Sequence, residues 1–372
     1  WRVPRSHEAH QRIQLATRTL TPPIVTPAVA PAKALVNDQW CVEGRIELVR
    51  NDAPCPPKYQ KYVLEYIDLF CAGQKLHPLD HAEVFEAQDR PTQRAGNLRA
   101  ALNAGFEQAD PEVKSFQKSE LYGKPNDPRN ISTLPHRHCF NYSRFTLAVA
   151  AHMKRHVPWY VFGKHPDAIA RRAQEVAQQA LTLVSSDFSR FDGTHSRFFY
   201  DLERAIYTRL FEAYAAEIRE YQRQARDAKA RTANGVKYPI EGTRLSGIAD
   251  TAIGNSIDNG FIAYVTYREM GYSKEDAWAK IGLIGGDDGL QPDMCAATYE
   301  RVARDFGLRI KLDPRPSTEP AAFLGRVYPQ PHAYPASMAD LPRQLPKLNV
   351  TTNMSHTPEA VLYNRALDHD PV

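Results

Sequence analysis

Two short apolar segments, each running straight into acidic residues, constrain this chain more than any other feature. Leu181-Thr182-Leu183-Val184 is followed by Ser185, Ser186 and Asp187, and Leu283-Ile284 by Gly285, Gly286, Asp287 and Asp288. Apolar, partly β-branched runs of this length read as short buried strands. The glycine pair gives the backbone the freedom that a tight hairpin turn needs. If the two strands lie side by side, carboxylates carried by rigid elements converge. Such oxygens suit hard divalent cations. Two of those ions about 3.5–4 Å apart can activate an attacking hydroxyl and neutralise a leaving pyrophosphate.

Taken singly, the pieces are weak signals. Asp187 and Asp192 make an Asp-x4-Asp pair, a spacing expected about once by chance in a chain of this size. Gly286-Asp287-Asp288 is rarer, on the order of one occurrence in ten such chains, and its plain alternative is a polar surface turn. Between the acidic sites lies Ser246-Gly247-Ile248-Ala249-Asp250-Thr251-Ala252-Ile253-Gly254-Asn255. There a flexible Ser-Gly precedes a helix that carries Thr251 and Asn255 four apart, on one face.

The surrounding pattern alternates helices with short strands. Tyr62, Val63, Tyr66, Ile67 and Phe70 predict a helix over 59–70, and helical spacing returns between Glu83 and Phe106, so the first third reads as mostly helical. Pro22, Pro23, Pro27 and Pro31 predict an extended strap over 20–33. Phe199, Leu202, Ile206, Leu210 and Phe211 predict a helix continuing toward Arg231, and Lys237 to Ile240 looks extended. A helix is expected from Ile248 to Met270 and another from Cys295 to Phe306, stopped at Gly307. Strands are expected near Leu308 to Leu312 and Phe323 to Tyr328.

With 372 residues, 42% hydrophobic and 24% charged, the chain is long enough for one large domain or a few subdomains sharing a core, which excludes wholesale disorder. A net charge of +4 permits contact with an anionic polymer without requiring it. Cys41, Cys55, Cys71, Cys139 and Cys295 contain no C-x-x-C pair and are odd in number, which argues for a reducing compartment. No run reaches the roughly 18 apolar residues that cross a bilayer, and Trp1-Arg2-Val3-Pro4 carries no signal-peptide core. A chain that starts on Trp1 instead of Met is expected to be a fragment or a cleavage product.

In their order these pieces resemble the catalytic palm of the RNA-dependent RNA polymerases of positive-strand RNA viruses. That family's motifs are D-x4-D, S/T-G-x3-T-x3-N and G-D-D. Asp187 to Asp192, Ser246 to Asn255 and Gly286 to Asp288 match them position for position. Lys118-Ser119-Glu120 with Lys124, Arg129 and Ile131 resembles the family's basic fingers motif, and Phe323-Leu324-Gly325-Arg326 its primer-gripping hairpin. The likeness covers roughly residues 112 to 330, and five motifs in correct order are far more specific than any one. Gly-Gly-Asp-Asp-Gly-Leu and the overall spacing look most like nodavirus-like groups.

The resemblance implies an α+β, right-handed polymerase fold of fingers, palm and thumb, with an antiparallel palm sheet packed on helices. Residues 1–110 would be an N-terminal extension with fingertips, 111–180 fingers, 181–328 palm with a fingers insertion around 205–240, and 329–372 the start of a thumb that is either truncated or unusually small. It implies template-directed RNA synthesis from nucleoside triphosphates on an RNA template, in viral genome replication, with two Mg²⁺ ions for which Mn²⁺ can substitute. Asp187, Asp287 and Asp288 would be the catalytic metal ligands, Asp288 the least directly bound. Asp192 and Asn255 would read the ribose 2′-hydroxyl, Ser246 and Gly247 would adjust around the template and nascent pair, and Thr251 would support the sugar pocket. Lys118, Lys124 and Arg129 would neutralise phosphate charge, and Arg326 would contact the primer strand. Lys311 would be the general acid for the leaving pyrophosphate, its alternative being a solvent-facing strand lysine beside Arg309. Implied partners are template and nascent RNA, other viral replication proteins, or a membrane-anchored segment outside this chain. The implied location is the host cytoplasm, at membrane-associated replication complexes.

Two other readings compete. A reverse transcriptase shares the two-metal palm but carries an aromatic residue before its aspartate pair and a bulky steric gate, which Gly286 and Asp192 do not fit. A non-catalytic RNA-binding protein on the polymerase fold would have no use for Asp187, Asp287 and Asp288 together. His152 and His156, and the group His136, His138 and Cys139, resemble zinc ligands in spacing but lack a fourth, and read as core or surface histidines. The basic and aromatic run from Tyr142 to Trp159 reads as a nucleic-acid channel or as an amphipathic helix. The same choice applies to Arg219 to Arg231.

Overall fold

The computed structural model describes residues 14–15, 17–103, 112–124 and 126–368. Helices α1 (Leu35–Arg45) and α2 (Gln60–Cys71) precede strands β1 (Val113–Gln117) and β2 (Asn130–Thr133), followed by helices α3 (His136–His156) and α4 (Pro166–Gln178). Strand β3 (Thr182–Phe188) leads to α5 (Arg197–Leu210), α6 (Ala215–Arg226), β4 (Lys229–Thr232), β5 (Lys237–Pro239) and the long helix α7 (Thr251–Glu269). Then come hairpin β6 (Leu283–Gly285) and β7 (Asp288–Pro292), helix α8 (Ala296–Asp305) and strand β8 (Ile310–Pro316). Hairpin β9 (Ala321–Phe323) and β10 (Arg326–Tyr328) precedes helix α9 (Leu341–Leu348).

The central sheet has four strands in the order β8-β3-β7-β6, every neighbour antiparallel. Side chains alternate across a strand, and β3 shows what this achieves. Val184 and Phe188 enter the main core, where Ile257, Phe261, Ile262, Tyr299 and Phe306 from α7, α8 and the turn after α8 pack. Leu183, on the other face, packs with Ala173 and Val176 of α4 and with Phe323 of β9. Asp187 shares the face of Leu183, four residues further on, beyond the cover that α4 supplies.

A second sheet is ordered β2-β1-β4-β5. Here the expected helix toward Arg231 is corrected: α6 stops at Arg226, and 229–232 form a strand. Lys229-Ala230-Arg231-Thr232 alternates exposed and buried residues, a period-2 pattern, and pairs with both β1 and β5. The helical stretch from Glu83 is likewise two helices, His81–Ala87 and Pro91–Leu102, because Pro91 forces the preceding residue out of helical geometry. Asp80 and Glu83 form a capping box at the first of them. Phe106, the expected end, lies outside the described residues.

The proline-rich segment is extended, as its composition predicts. It is tied at Leu20 N–H to Asn349 O (2.8 Å), at Ala28 N–H to Pro346 O (2.7 Å) and at Val29 to Tyr122 by a reciprocal pair of 2.8 Å bonds. The Tyr142 to Trp159 run has a buried face with Tyr142, Phe145 and Trp159 and an exposed one with Lys154 and Arg155, and Arg144 is held by Leu79 O and Glu217. Among the described residues no helix is long and apolar enough to cross a membrane.

Candidate active site

Strand register brings the acidic residues together. Asp288 pairs directly with Asp187 across β7 and β3, and a two-residue turn, Gly286-Asp287, joins β6 to β7. Gly286 has φ 68°, the left-handed region in which a side chain is strained, so the turn needs glycine there. Helix α7 clamps this turn from below. Asn259 Nδ2 donates to Gly286 O (3.0 Å) and Asp288 O (3.2 Å), and Gly286 N–H donates to Ser256 Oγ (3.0 Å). Ser256 and Asn259 are fully buried, and Tyr299 OH donates to Asn259 Oδ1 (3.4 Å). Sequence reasoning passed over both residues. The available signal was a run of polar residues, Asn255, Ser256, Asp258 and Asn259, inside an otherwise apolar helix.

The carboxylates act on one another through their charge. Burial, then the charges of Asp192 and Asp187, push the Asp287 carboxyl up to about 6. Burial, then Asp287 and Asp187, push Asp288 up to about 7. Arg129 lowers Asp287 and Arg343 lowers Asp288, but burial and the neighbouring carboxylates outweigh them, and hard oxygen donors are what Mg²⁺ or Mn²⁺ prefers. The residues present therefore fit divalent cations. Lys311 faces Asp187 from β8, with Nζ 3.5 Å from Asp187 Oδ2, and is largely exposed.

A cleft of about 970 Å³ opens over these residues, lined by Asp187, Asp287, Asp288 and Lys311 together with Asp192, Ser246, Thr251, Asn255, Arg129 and Arg326. Asn255 Nδ2 donates to Asp192 Oδ1 at 2.8 Å, joining the two residues expected to read the sugar. Ser246 Oγ donates to Asn130 O (2.7 Å), and Gly247 N–H to Ser132 O (3.0 Å), so the Ser-Gly loop is seated on β2. A Cβ at Gly247 would lie 2.6 Å from Thr133 Cγ2, which closes that position to larger residues. Thr251 Oγ1 donates to Leu245 O (2.7 Å) and Ile248 O (3.1 Å), fastening the loop to the start of α7.

The expected phosphate-binding cations divide. Arg129 lines the cleft, whereas Lys118 and Lys124 are not among its lining residues. Lys118 Nζ instead lies 3.4 Å from Glu120, the residue that also meets Arg129 at 3.8 Å. Arg45 and Arg190, which sequence reasoning missed, line the same wall. Arg190 donates to Asp127 Oδ2 (2.6 Å) and to Gly44 O, and Arg45 to Asp127 O (2.9 Å). Arg190 sits inside the D-x4-D segment in a left-handed conformation, φ 55°, a local irregularity no spacing rule reveals. Arg326 is held by Ser337 (2.8 Å to Oγ), and Arg343 of α9 adds a further cation to the rim.

Of the histidines read as core or surface residues, His138 and His152 are buried. His152 Nε2 lies 2.7 Å from Phe70 O and His138 Nε2 lies 3.0 Å from Tyr221 O. Among the described residues the one trio of metal-type ligand atoms within 4.8 Å of one another is His195, Glu203 and Asp258, all buried. Arg244 already occupies the cation position there, bonded to Glu203 and, at 2.9 Å, to Asp258. This is an ion-pair cluster. Although burial raises it, the Glu203 carboxyl is drawn down to about 2 by Arg244 and His195.

No family model matches the chain. Curated proteins do. The chain is 35% identical over 340 residues to the RNA-directed RNA polymerase of Striped jack nervous necrosis virus, covering 88% of this chain and 34% of that protein. It is 34% identical over 357 residues to that of Pieris rapae virus (93% and 35%) and 31% identical over 353 residues to that of Pariacoto virus (91% and 36%). The chain thus spans about a third of the length of the curated relatives it matches. In fold it is similar to the crystal structure of the RNA-dependent RNA polymerase of a human picorbirnavirus, with a TM-score of 0.73 at 14% identity, covering 92% of this chain and 72% of that one.

Proposed function

This chain belongs with the nodavirus RNA-directed RNA polymerases, matching about a third of their length, and on that premise we propose that it carries the catalytic centre of template-directed RNA synthesis. The observation that carries the reading is the register of β3 against β7, which sets Asp187 opposite Asp288 and one residue from Asp287. Residues 181–328 act as the palm, 111–180 with the insertion around 205–240 as fingers, and residues after Tyr328 as the beginning of a thumb. Asp187, Asp287 and Asp288 would hold two Mg²⁺ ions, with Mn²⁺ as a substitute. Bound there, such ions supply Lewis-acid stabilisation to the attacking 3′-hydroxyl and the leaving pyrophosphate.

The protein's own groups do the remaining work. Arg129, Arg190 and Arg45 present positive charge on the wall where a triphosphate enters, and Arg forks match phosphate oxygens. Lys118 and Lys124, set outside that wall, act on incoming nucleotides at longer range. Asp192 and Asn255, already bonded to each other, form a polar pair that recognises a 2′-hydroxyl, a group able both to donate and to accept. Thr251 and the Ser246-Gly247 loop hold that pair's surroundings in place, and Lys311 delivers a proton to the departing pyrophosphate. Arg326 and Arg343 grip the nascent strand. The partners are template and nascent RNA and nucleoside triphosphates, with other viral proteins or a membrane-anchored segment placing the enzyme at cytoplasmic replication complexes.

Primer extension on an RNA template tests the reading. Incorporation of ribonucleotides far above deoxyribonucleotides, dependent on Mg²⁺ and abolished by Asp187→Ala, is the expected result. Incorporation of deoxyribonucleotides alone would indicate a reverse transcriptase. RNA binding without incorporation of either substrate would indicate a non-catalytic RNA-binding protein.

A further inference from the structure

We propose that the buried cluster of His195, Glu203, Arg244 and Asp258 positions the ribose-reading pair, fixing the separation of Asp192 from Asn255 and with it the preference for ribonucleotides. The inference rests on the sugar-reading role given above to Asp192 and Asn255. It concerns residues whose side chains bond one another and not Asp187, Asp287 or Asp288.

Connectivity is the first ground. Asp192 and His195 belong to one short helical turn and its exit, and Asn255 and Asp258 stand one turn apart on α7. Each member of the sugar-reading pair is therefore three residues from a member of the cluster. His195 Nε2 lies 3.1 Å from Glu203 Oε1 and 3.3 Å from Asp258 Oδ2, and its Nδ1 lies 3.0 Å from Gly242 O. Arg244 bonds Glu203 and Asp258 through its guanidinium and donates its backbone N–H to Asp192 O at 2.9 Å. The cross-links join four segments: the turn at 191–195, helix α5 through Glu203, the loop at 242–244, and α7. The cluster thus ties the backbones that carry Asp192 and Asn255, beside the direct Asn255–Asp192 bond of 2.8 Å.

Packing is the second ground. The side chains of all four residues are no more than 2% exposed. The Arg244 guanidinium approaches α7 where Gly254 leaves room, and a Cβ at Gly254 would run into it. Gly254 immediately precedes Asn255, so the guanidinium presses on the helix at the base of the sugar-reading residue.

Energetics supplies the third ground. A buried ion network adds little net stability over apolar residues of the same volume, because removing the charges from water offsets their attraction. Its bonds are directional and stiff in a low-dielectric setting. A network of this kind under a recognition pair therefore contributes register more than stability. A shift of a few tenths of an ångström in the Asp192–Asn255 separation weakens hydrogen bonds to a 2′-hydroxyl while leaving the rest of the nucleotide unaffected.

The test is single-nucleotide incorporation by the full chain, comparing kcat/KM for a ribonucleotide with that for its 2′-deoxy counterpart. Arg244→Lys keeps the charge but cannot bridge both carboxylates, and His195→Gln keeps a donor without a ring or charge. Both are expected to lower the ribo-to-deoxy ratio by about tenfold, the worth of one hydrogen bond to the sugar, chiefly through a higher KM for the ribonucleotide. A cluster that merely stabilises the fold would instead lower both rates equally and leave the ratio unchanged, which would overturn the proposal. If Arg244→Lys fails to fold, His195→Gln decides alone, and Glu203→Gln serves as its second. Asn255→Ala separates the premise from the inference. A ratio unmoved by Asn255→Ala refutes the sugar-reading role, whereas a ratio moved by Asn255→Ala and not by the cluster variants refutes the positioning role only.

Discussion

Asp187 and Asp288 stand directly opposite each other on neighbouring antiparallel strands, with Lys311 opposite Asp187 on the far side. A slip of one residue in either ladder would turn one of these side chains to the other face of the sheet. The buried face prevents this, because Val184 and Phe188 fill the helical core and cannot exchange places with Ser185 and Asp187. The chemistry of the cleft is thus anchored by the packing of residues that never touch a substrate.

Asp287→Asn is expected to reduce nucleotide incorporation by at least about a hundredfold, since an amide is a poor ligand where charge must be stabilised. The fold should not suffer. Burial and the neighbouring carboxylates already disfavour the Asp287 charge, so the melting temperature without metal should be equal or higher. Incorporation at the unsubstituted rate would remove Asp287 from the catalytic set.

Asn259→Ala addresses the support of the turn. The change would orphan two carbonyls, Gly286 O and Asp288 O, that Asn259 now satisfies. A loss of about 1–3 kcal/mol in denaturant unfolding is expected, with a fall of about ten- to a hundredfold in affinity for Mn²⁺, as is usual when a residue behind a metal ligand is removed. Unchanged Mn²⁺ affinity would mean that the hairpin holds its own geometry.

Much of this arrangement is legible in the sequence because it is local. The strand ending on Asp187, the glycine turn before Asp288, and the helix carrying Thr251 and Asn255 all follow from short-range pattern. What escaped depends on contacts between distant segments. Arg190 lines the cleft only because Asp127 and the carbonyl of Gly44 draw its side chain across. Lys118 leaves the cleft wall because Glu120, two residues away, offers a nearer partner. Strand β4 was hidden for another reason: Lys229 to Thr232 is too polar to announce itself, and its neighbours β1 and β5 decide the outcome.

Asp250, the buried residue before α7, gives a pH signature. Burial, opposed by Arg244 and reinforced by Glu203, raises its carboxyl from 3.8 to about 6. Between those values the folded chain keeps a proton that the unfolded chain releases, so stability falls as pH rises through the window and levels off above it. Asp250→Asn removes this contribution and keeps an acceptor for Tyr142. Relative to the parent, the variant should gain on the order of 2 kcal/mol in unfolding free energy between pH 4 and pH 7. A constant difference across that range would show that Asp250 does not titrate there.

Two proposed roles for Lys311 predict different outcomes. As general acid, its loss in Lys311→Ala should lower kcat by about a hundredfold, with Lys311→Arg intermediate. As a counter-ion to Asp187, from which it stands 3.5 Å, its loss should strengthen divalent-cation binding and leave kcat nearly unchanged.

Anomalous scattering from crystals soaked in Mn²⁺ with a nucleoside triphosphate tests the placement of the acids most directly. Manganese peaks bridging the carboxylates of Asp187 and Asp287, with Asp288 adjacent, are the predicted result. Manganese bound away from those side chains, or an empty cleft at saturating metal, would contradict it.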